Sequence, residues 1–286
     1  MDYVTLSNGV KMPKLGFGVF QISPDVCTQS VLDAIDAGYR LIDTAQSYYN
    51  ETQVGEAISK CDVPREELFI TTKVWIENYG YEKAKASVLV SMDKLNVDYL
   101  DLVLLHQPVG DYYGAYRALV ELYKKGKIRA IGVSNFLPDR LADIAVFSEM
   151  SPHVNQVEVN PFHQQIAAQE NMVKREVQMQ AWAPFGEGRN NMFGNEDLLD
   201  IAANHDKSTA QVILRWLMQR DIVALAKTTS PLRMAENLDI FDFDLSQEEM
   251  EKISELDTQT SLFFDHQSPE TIDRFAQMVE ARRGLS

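Results

Sequence analysis

Short runs of consecutive apolar residues alternate along the chain with longer stretches in which apolar residues recur every three or four positions. The run Leu-Val-Leu-Leu at residues 102–105 is typical. Strands that are buried on both faces of a parallel sheet read as such nearly unbroken apolar segments. The pattern predicts eight strands, at residues 15–19, 39–44, 68–74, 100–106, 128–134, 154–159, 179–183 and 222–227.

The stretches between the predicted strands have the spacing of amphipathic helices. Three apolar faces illustrate this spacing: Val31, Ala34 and Ile35; Val88, Met92 and Leu95; and Val212, Ile213, Trp216 and Leu217. Eight β-α units without a linker rich in Pro, Gly or Ser predict an α/β protein, a closed (β/α)8 TIM barrel that fills residues 1–286 as a single domain. A doubly wound open sheet is the alternative, and the number of strands favours the barrel.

Three segments lie outside the eight units. Residues 3–6 and 10–12, joined through Asn8-Gly9, predict a β-hairpin with a type I′ turn that caps the bottom of the barrel. An extra helix is predicted at residues 196–204, before the helix at residues 208–220. Beyond the last unit, residues 246–256 predict a capped helix, and we expect the tail, residues 257–286, to fold over the barrel mouth.

Composition and charge narrow the possible partners. Of the 286 residues, 45% are hydrophobic and 24% are charged, which is typical of a soluble domain with a large core. The net charge of −15, from 42 acidic and 27 basic residues, disfavours nucleic acid and anionic membranes as partners. An anionic ligand of this chain therefore needs a local basic cluster.

Cysteine usage and hydropathy predict a cytoplasmic protein. Cys27 and Cys61 are too few for a disulfide framework and fit a reducing compartment. Residues 1–5 lack the basic start of a signal peptide, and no apolar run approaches the roughly 18 residues of a membrane span. The five histidines, at positions 106, 153, 163, 205 and 266, lack paired ligand spacing, so we expect no metal site.

Four chemically capable residues lie at the ends of successive predicted strands. Asp43 ends the second strand and Tyr48 follows it, Lys73 lies in the third strand, and His106 closes the fourth. Each alone has an ordinary structural explanation: a helix cap, a packing tyrosine, a snorkelling lysine and a hydrogen-bonded core imidazole. Together they predict an active site, because the carboxyl ends of barrel strands form the functional face.

The residue types fit the reduction of a carbonyl group. Negative charge grows on the carbonyl oxygen as hydride attacks the carbon, so a proton donor is needed there. Tyr48 is suited to that role if the ammonium of Lys73 lowers its pKa from the usual value of about 10. Asp43 can hold Lys73 charged, and His106 can hydrogen-bond the carbonyl and orient it.

The segment Ile42-Asp43-Thr44-Ala45-Gln46-Ser47-Tyr48-Tyr49-Asn50-Glu51 resembles the Asp-Thr-Ala-x-x-Tyr-x-Asn-Glu signature of aldo-keto reductases. Residues 72–75 are similar to the lysine motif of that family, and residues 101–108 to its histidine strand. The resemblance extends over about residues 4–266 in the same order. It implies a catalytic tetrad of Asp43, Tyr48, Lys73 and His106, which are the residues assigned above on chemical grounds.

Two further segments resemble the nicotinamide site of the family. Residues 132–136 and 155–158 are similar to motifs that imply hydrogen bonds from Ser134, Asn135 and Gln156 to the nicotinamide carboxamide of NADPH/NADP+. Residues 181–186 resemble the segment that supplies an aromatic ring to stack on the nicotinamide, here Trp182. Without the resemblance, Ser134-Asn135 is only a turn that precedes a helix, and Trp182 is equally compatible with a core position.

The basic cluster that the charge requires occurs at residues 226–237. Ser230 suits an N-cap and Pro231 the first helical position, so a helix begins here between Lys227 and Arg233. Such a helix start with flanking cations favours a phosphate group. The segment resembles the Lys-Ser-x-x-x-x-Arg-x-x-Glu-Asn motif of the family, which implies the following cofactor roles. Lys227, Ser230 and Arg233 bind the 2′-phosphate of NADPH, Thr228 lies at the pyrophosphate end, and Glu236 and Asn237 bind adenine.

The same resemblance implies a substrate pocket. Its expected lining is Phe20, Tyr49, Trp75, Gln107 and Phe136. Tyr49 stands where glycine is common in the family, and Gln107 stands where larger aromatic residues are common. These departures concern the pocket and leave the tetrad intact.

Three functions are compatible with these residues. The leading hypothesis is a monomeric NADPH-dependent reductase of small aldehydes or ketones, similar to bacterial diketogluconate and methylglyoxal reductases. A regulatory protein that keeps fold and cofactor without catalysis is the second, and the intact tetrad argues against it. The third is a Schiff-base aldolase with Lys73 as nucleophile, and the phosphate-binding segment argues against that.

Overall fold

The computed structural model describes residues 2–283, in which eight parallel strands close into a barrel. The eight strands follow one another around the barrel in chain order, and the last pairs with the first to complete it. The predicted barrel is confirmed, and each predicted strand bound lies within two residues of the observed one. The barrel strands are β3 (Leu15–Gly18), β4 (Leu41–Asp43), β5 (Phe69–Val74), β6 (Leu100–Leu105), β7 (Ile128–Ser134), β8 (Val154–Glu158), β9 (Gln178–Trp182) and β10 (Val223–Ala226).

Helices surround the barrel and bury the apolar faces predicted from their spacing. Ala34, Val88 and Trp216, one from each face, are almost fully buried between the helices and the strands. The helices are α1 (Pro24–Ala37), α2 (Glu51–Lys60), α3 (Tyr81–Leu95), α4 (Tyr112–Lys124), α5 (Pro138–Phe147), α6 (Ile166–Lys174), α7 (Glu196–Asn204), α8 (Thr209–Gln219), α9 (Pro231–Leu238), α10 (Gln247–Ser254) and α11 (Pro269–Arg283). The extra helix predicted at residues 196–204 is α7. Among these helices, none has the length and hydropathy to cross a membrane.

The barrel interior is apolar at the bottom and polar at the top. Leu41, Phe69 and Leu102 belong to an interior cluster that the N-terminal hairpin closes from below with Val4 and Met12. Side chains two residues further along a strand point the same way. The inward positions at the carboxyl ends of β4, β5, β8 and β9 are polar. They border the open mouth instead of the packed apolar layers.

The hairpin consists of β1 (Tyr3–Thr5) and β2 (Lys11–Pro13), and its turn differs from the predicted type I′. A type I′ turn needs positive φ at both central residues. Here Gly9 has φ +83° whereas Asn8 has no positive φ, and the amide of Gly9 donates to the carbonyl of Leu6 at 2.8 Å. The hydrogen bond from Leu6 N to Val10 O at 2.9 Å closes a three-residue loop with a left-handed glycine. The extra loop residue, Ser7, makes this geometry possible.

The tail crosses the barrel mouth, as predicted, within the described residues. The hydroxyl of Ser261 and the amide of Leu262 donate to the carboxylate of Glu158, at 2.6 and 2.9 Å. Further on, Phe275 of α11 is buried and packs edge-on against Trp75, with ring centroids 6.1 Å apart. Residues 284–286 lie outside the described part of the chain.

Candidate active site

Asp43 and Lys73 form a buried ion pair inside the barrel mouth. Asp43 ends β4, Lys73 lies near the end of β5, and both side chains are almost fully inaccessible to water. The ammonium of Lys73 donates to the Asp43 carboxylate, to the carbonyl oxygen of Thr44 at 3.0 Å and to the hydroxyl oxygen of Tyr48 at 3.2 Å. All three donors of the ammonium thus have partners, one of which is the proposed proton donor.

Tyr48 is held by a short 3-10 turn, Gln46–Tyr48, directly after β4. The turn is fixed by Gln46, whose side-chain oxygen accepts from the amide of Trp75 at 3.0 Å and from Asn78 at 2.9 Å. The amide of Tyr48 donates to the carbonyl of Ala45 at 3.0 Å. These bonds tie the loop of β4 to the loop of β5 and bring Tyr48 over Lys73.

The Asn-Glu pair that follows the tyrosine anchors this loop from behind. The buried amide of Asn50 donates to the carbonyl of Val19 at 2.9 Å, and its oxygen accepts from the hydroxyl of Thr44 at 2.9 Å. The buried carboxylate of Glu51 accepts from the hydroxyl of Thr72 at 2.7 Å. Both side chains bond to residues next to the tetrad and do not face the mouth. The Asn-Glu part of the signature therefore has a structural role.

His106 faces Tyr48 across the mouth. Its ring lies edge-on to Tyr48 at 5.7 Å and to Trp75 at 5.0 Å between centroids. Its Nδ1 lies 3.3 Å from the hydroxyl of Ser47. Burial, together with the positive charges of Lys73 and Arg282, holds the pKa of His106 well below its usual value. The imidazole is therefore neutral at physiological pH.

Burial dominates the ionisation of the other members of the group. It raises the pKa of Tyr48, and the ammonium of Lys73 offsets only part of that rise. Burial also raises the pKa of Asp43 against the opposing effect of Lys73. For Lys73, burial lowers the pKa, but the combined attraction of Asp43 and Tyr48 outweighs it and the net pKa is raised. Lys73 lowers the Tyr48 pKa, as the sequence predicted, but the expected net lowering was wrong because it omitted the burial of the phenol.

Ser134, Asn135 and Gln156 converge beside the tetrad. The hydroxyl of Ser134 donates to the carbonyl of Gln156 at 2.9 Å. Asn135, in a left-handed conformation with φ +64°, donates from its amide to the carbonyl of His106 at 3.1 Å and accepts from the indole of Trp182 at 2.9 Å. One hydrogen-bonded cluster therefore joins the ends of β7, β8 and β9 to the loop that starts at His106.

Gln156 extends this cluster to a residue that the sequence analysis did not single out, Gln180. The side-chain amide of Gln156 donates to Asp43 and to the side-chain oxygen of Gln180, each at 2.9 Å. The side-chain nitrogen of Gln180 is buried and has no hydrogen-bond partner in the described part of the chain. The signal in the sequence is a polar residue at an inward position of β9, two before Trp182, where an apolar residue was expected.

The basic segment forms the start of α9, as predicted. Ser230 is the N-cap, with its hydroxyl accepting from the amide of Arg233, and Thr228 accepts from the amide of Ser230 at 3.1 Å. Lys227 and Arg233 are exposed, and neither forms an ion pair within residues 2–283. Two unpaired cations at the start of a helix are available to an anion.

Glu236 and Asn237 lie one turn further along α9. Glu236 is half-buried and Asn237 is buried. Both follow Arg233 at helical spacing, so they lie on the side of the helix that Arg233 occupies. The residues expected at the adenosine end of the cofactor are therefore contiguous in space.

Four of the five expected pocket residues lie at the mouth. The ring of Phe20 lies 4.9 Å from that of Tyr48, and Tyr49 is 64% exposed, while Trp75 and Gln107 are buried beside His106. Phe136 does not lie there. It is fully buried in the helix layer, with its ring edge-on to Tyr112 of α4 at 5.3 Å, because the chain turns away from the mouth after Asn135.

The described residues, 2–283, contain no group of three or more His, Cys, Asp or Glu side chains that could hold a metal ion.

Comparisons with known proteins connect this site to a family. The model of the Aldo/keto reductase family matches residues 14–258. The chain is 48% identical over 257 residues to glyoxal reductase of Bacillus subtilis (strain 168). The aligned residues cover 89% of this chain and 92% of that protein. It is 41% identical over 290 residues to morphine 6-dehydrogenase of Pseudomonas putida, with 96% and 98% coverage.

Solved structures give the same result. An aldo-keto reductase from a Medee basin deep-sea metagenome library superposes with a TM-score of 0.91 at 38% identity, covering 93% of this chain and 98% of that one. An aldo-keto reductase of Bombyx mori, solved in complex with NADP, superposes with a TM-score of 0.88 at 30% identity, with 92% and 95% coverage. The similarity extends over nearly the whole barrel.

Proposed function

This chain belongs to the aldo/keto reductase family, and we propose that it reduces small aldehydes and ketones to alcohols with Tyr48 as the proton donor. It is an NADP-dependent oxidoreductase, which removes the aldolase and the non-catalytic regulator as alternatives. The observation that carries the proposal is the contact of 3.2 Å between the Lys73 ammonium and the Tyr48 hydroxyl, opposite His106 at the mouth.

The chain provides the proton and stabilises the charge that its loss creates. When bound, NADPH supplies the hydride that reduces the carbonyl carbon. The raised pKa keeps the Tyr48 phenol protonated at neutral pH, so its proton is available to the carbonyl oxygen. Lys73 then stabilises the phenolate across 3.2 Å, while Asp43 keeps the ammonium in place.

His106 is proposed to orient the carbonyl. A neutral imidazole carries one N–H, and the hydrogen bond at its other nitrogen selects which one. When the Ser47 hydroxyl donates to Nδ1 at 3.3 Å, the proton resides on Nε2, from which it can be donated to the carbonyl oxygen. The lowered pKa of His106 preserves this form, since a protonated ring could not accept from Ser47.

The residues present fit the proposed cofactor. Ser134, Asn135 and Gln156 provide hydroxyl and amide groups for a carboxamide beside Tyr48, and Trp182 provides an aromatic surface there. At the other end, Lys227 and Arg233 provide positive charge that no carboxylate of residues 2–283 pairs, and phosphate groups can bind there. Ser230 is proposed to bind the 2′-phosphate with these two cations, Thr228 to lie at the pyrophosphate end, and Glu236 and Asn237 to bind adenine.

The activity is tested by following NADPH oxidation across a panel of aldehydes, ketoses, α-dicarbonyls and ketosteroids. We expect turnover of small α-dicarbonyls, because the 48% identical relative is named glyoxal reductase. Turnover should require no added metal. A panel in which purified enzyme oxidises NADPH with none of the four classes would contradict the proposed function.

We expect Arg233→Ala to weaken NADPH binding while changing NADH binding far less. NADPH differs from NADH by the adenosine 2′-phosphate, which must bind to a protein of net charge −15. A charge-assisted hydrogen bond contributes roughly 1.5–3 kcal/mol, which corresponds to a loss of about 10- to 150-fold. Titration of both cofactors into wild type and variant measures the effect.

A matched control separates the site from the overall charge. Lys252→Ala removes one exposed cation from α10 and should leave both affinities close to those of wild type. If Arg233→Ala weakens NADPH and NADH equally, the assignment of Arg233 to the 2′-phosphate fails.

A further inference from the structure

Helix α11 places a cationic side chain, Arg282, over the barrel mouth. Its guanidinium carbon lies 4.8 Å from the ring centroid of Trp75 and 5.0 Å from that of Tyr49. A guanidinium at this distance from two aromatic rings is attracted by both. Its Nη2 lies 3.5 Å from the carbonyl oxygen of Ser47, the neighbour of Tyr48. Arg282 is therefore held in position by the residues that surround the proposed proton donor.

The charge of Arg282 is not neutralised by the described part of the protein. Its guanidinium forms no ion pair with any carboxylate of residues 2–283, although the chain carries 42 acidic residues. Its one hydrogen bond within residues 2–283, at 3.5 Å, leaves most of its N–H groups without a partner in that part of the chain. A positive charge at the mouth of a strongly acidic protein thus remains available to an anion.

Tyr49, one of the two aromatic contacts, has an unfavourable backbone conformation. Its φ of +59° and ψ of +23° lie in the left-handed region, which favours glycine over bulky side chains. A residue kept in such a conformation at a site mouth suggests a role for its side chain. The contact that the Tyr49 ring makes with Arg282 is such a role, since glycine at this position could not provide it.

Arg282 is also connected to the reacting groups. Trp75, which contacts the guanidinium, lies edge-on to His106 with ring centroids 5.0 Å apart. The indole N–H of Trp75 is buried and has no hydrogen-bond partner among residues 2–283, and the same is true of the side-chain oxygen of Gln107. Trp75 thus contacts both His106 and Arg282 and carries a donor that no residue of 2–283 uses.

We propose that Arg282 is a specificity-determining residue that binds a carboxylate on the carbonyl substrate, so that the enzyme prefers oxo acids. The planar guanidinium matches the two oxygens of a carboxylate, and the Trp75 indole can donate a further hydrogen bond. The inference rests on the proposed function, because Arg282 binds the carboxylate end of a substrate whose carbonyl end is bound by Tyr48 and His106.

The test compares two substrates that differ only in charge, 4-oxobutanoate and its methyl ester. The measured quantity is the ratio of kcat/KM for the acid to kcat/KM for the ester. We expect Arg282→Gln to lower this ratio about tenfold or more, the effect of losing one charge-assisted hydrogen bond. Arg282→Lys should lower it less, because the charge remains while the planar fork is lost.

Arg274→Gln is the matched control. Arg274 is exposed on the same helix, and its replacement removes the same charge from the protein. The ratio should therefore stay near the wild-type value in this variant. An equal fall in both variants would show that long-range charge, not a contact with Arg282, favours the acid, and would overturn the inference.

Tyr49→Gly tests the positioning of the guanidinium. Alone, it should lower the ratio in the same direction as Arg282→Gln. Combined with Arg282→Gln it should have little further effect, because residues that act through one contact are not additive. Fully additive effects would contradict a positioning role for Tyr49.

The inference and the proposed function can fail separately. An unchanged ratio in Arg282→Gln, or a wild type that reduces the ester but not 4-oxobutanoate, would overturn the role of Arg282. Either result leaves carbonyl reduction standing, since that is decided by the panel of NADPH oxidation assays.

Discussion

Tyr48→Phe is expected to lower kcat by about 10²- to 10⁴-fold, the usual contribution of a general acid, while leaving NADPH affinity nearly unchanged. The variant removes only the hydroxyl that contacts Lys73 at 3.2 Å. The ring should keep its contacts with Phe20 and His106, at 4.9 and 5.7 Å between centroids, so the mouth keeps its shape. Turnover of the best carbonyl substrate and a fluorescence titration with NADPH measure the two quantities.

Tyr116→Phe is the matched control for this variant. The Tyr116 hydroxyl is buried in the helix layer and has no hydrogen-bond partner among the residues that the structure describes, so its removal should affect neither turnover nor NADPH affinity. If Tyr48→Phe retains turnover close to that of wild type, Tyr48 is not the proton donor. If instead it loses NADPH affinity as strongly as turnover, the hydroxyl acts in binding.

Lys73→Met should reduce both activity and stability. It leaves the carboxylate of Asp43 buried without its partner, and removing one member of a buried ion pair typically costs 3–5 kcal/mol, or about a third of the stability of many domains. The double variant Asp43→Asn/Lys73→Met removes both charges and should recover much of that loss. Urea unfolding of wild type, both single variants and the double variant measures the coupling between the two residues.

The pH dependence of Lys73→Met separates its catalytic role from its structural one. The ammonium lowers the pKa of Tyr48 against the raising effect of burial. Without the ammonium the Tyr48 pKa rises further, so the phenol stays protonated to higher pH. The pH at which kcat falls on the alkaline side should therefore be higher for the residual activity of Lys73→Met than for wild type. A profile that is only scaled down, with the same midpoint, would mean that Lys73 does not stabilise the phenolate.

Most of the fold could be predicted from hydrophobic periodicity. The strands were predictable because both faces of each barrel strand are buried, which leaves runs such as residues 102–105 without polar interruptions. The start of α9 was predictable because Ser230 and Pro231 act through local geometry alone. The type of the hairpin turn was not, since the number of loop residues depends on the register between Tyr3 and Pro13.

Parts of the candidate site could be predicted for a similar reason. Asp43, Lys73 and His106 lie at or next to the carboxyl ends of consecutive strands, and the topology of a barrel brings such positions to one rim. The orientation of Phe136 was not accessible, because it depends on how the chain turns after Asn135 and on the space beside Tyr112. Gln180 was overlooked because one polar residue within an apolar strand has no periodicity of its own.

The sequence by itself therefore determined the barrel, the order of its elements and the set of groups that meet at its mouth, because these follow from local spacing and from the closure of successive strands. Only the tertiary structure decided how those groups ionise and what covers them. The raised pKa of Tyr48 results from its burial. The residues that together bury it are far apart in the chain. Arg282 reaches the mouth because Phe275 anchors α11 against Trp75, a contact across 200 positions that no local pattern encodes.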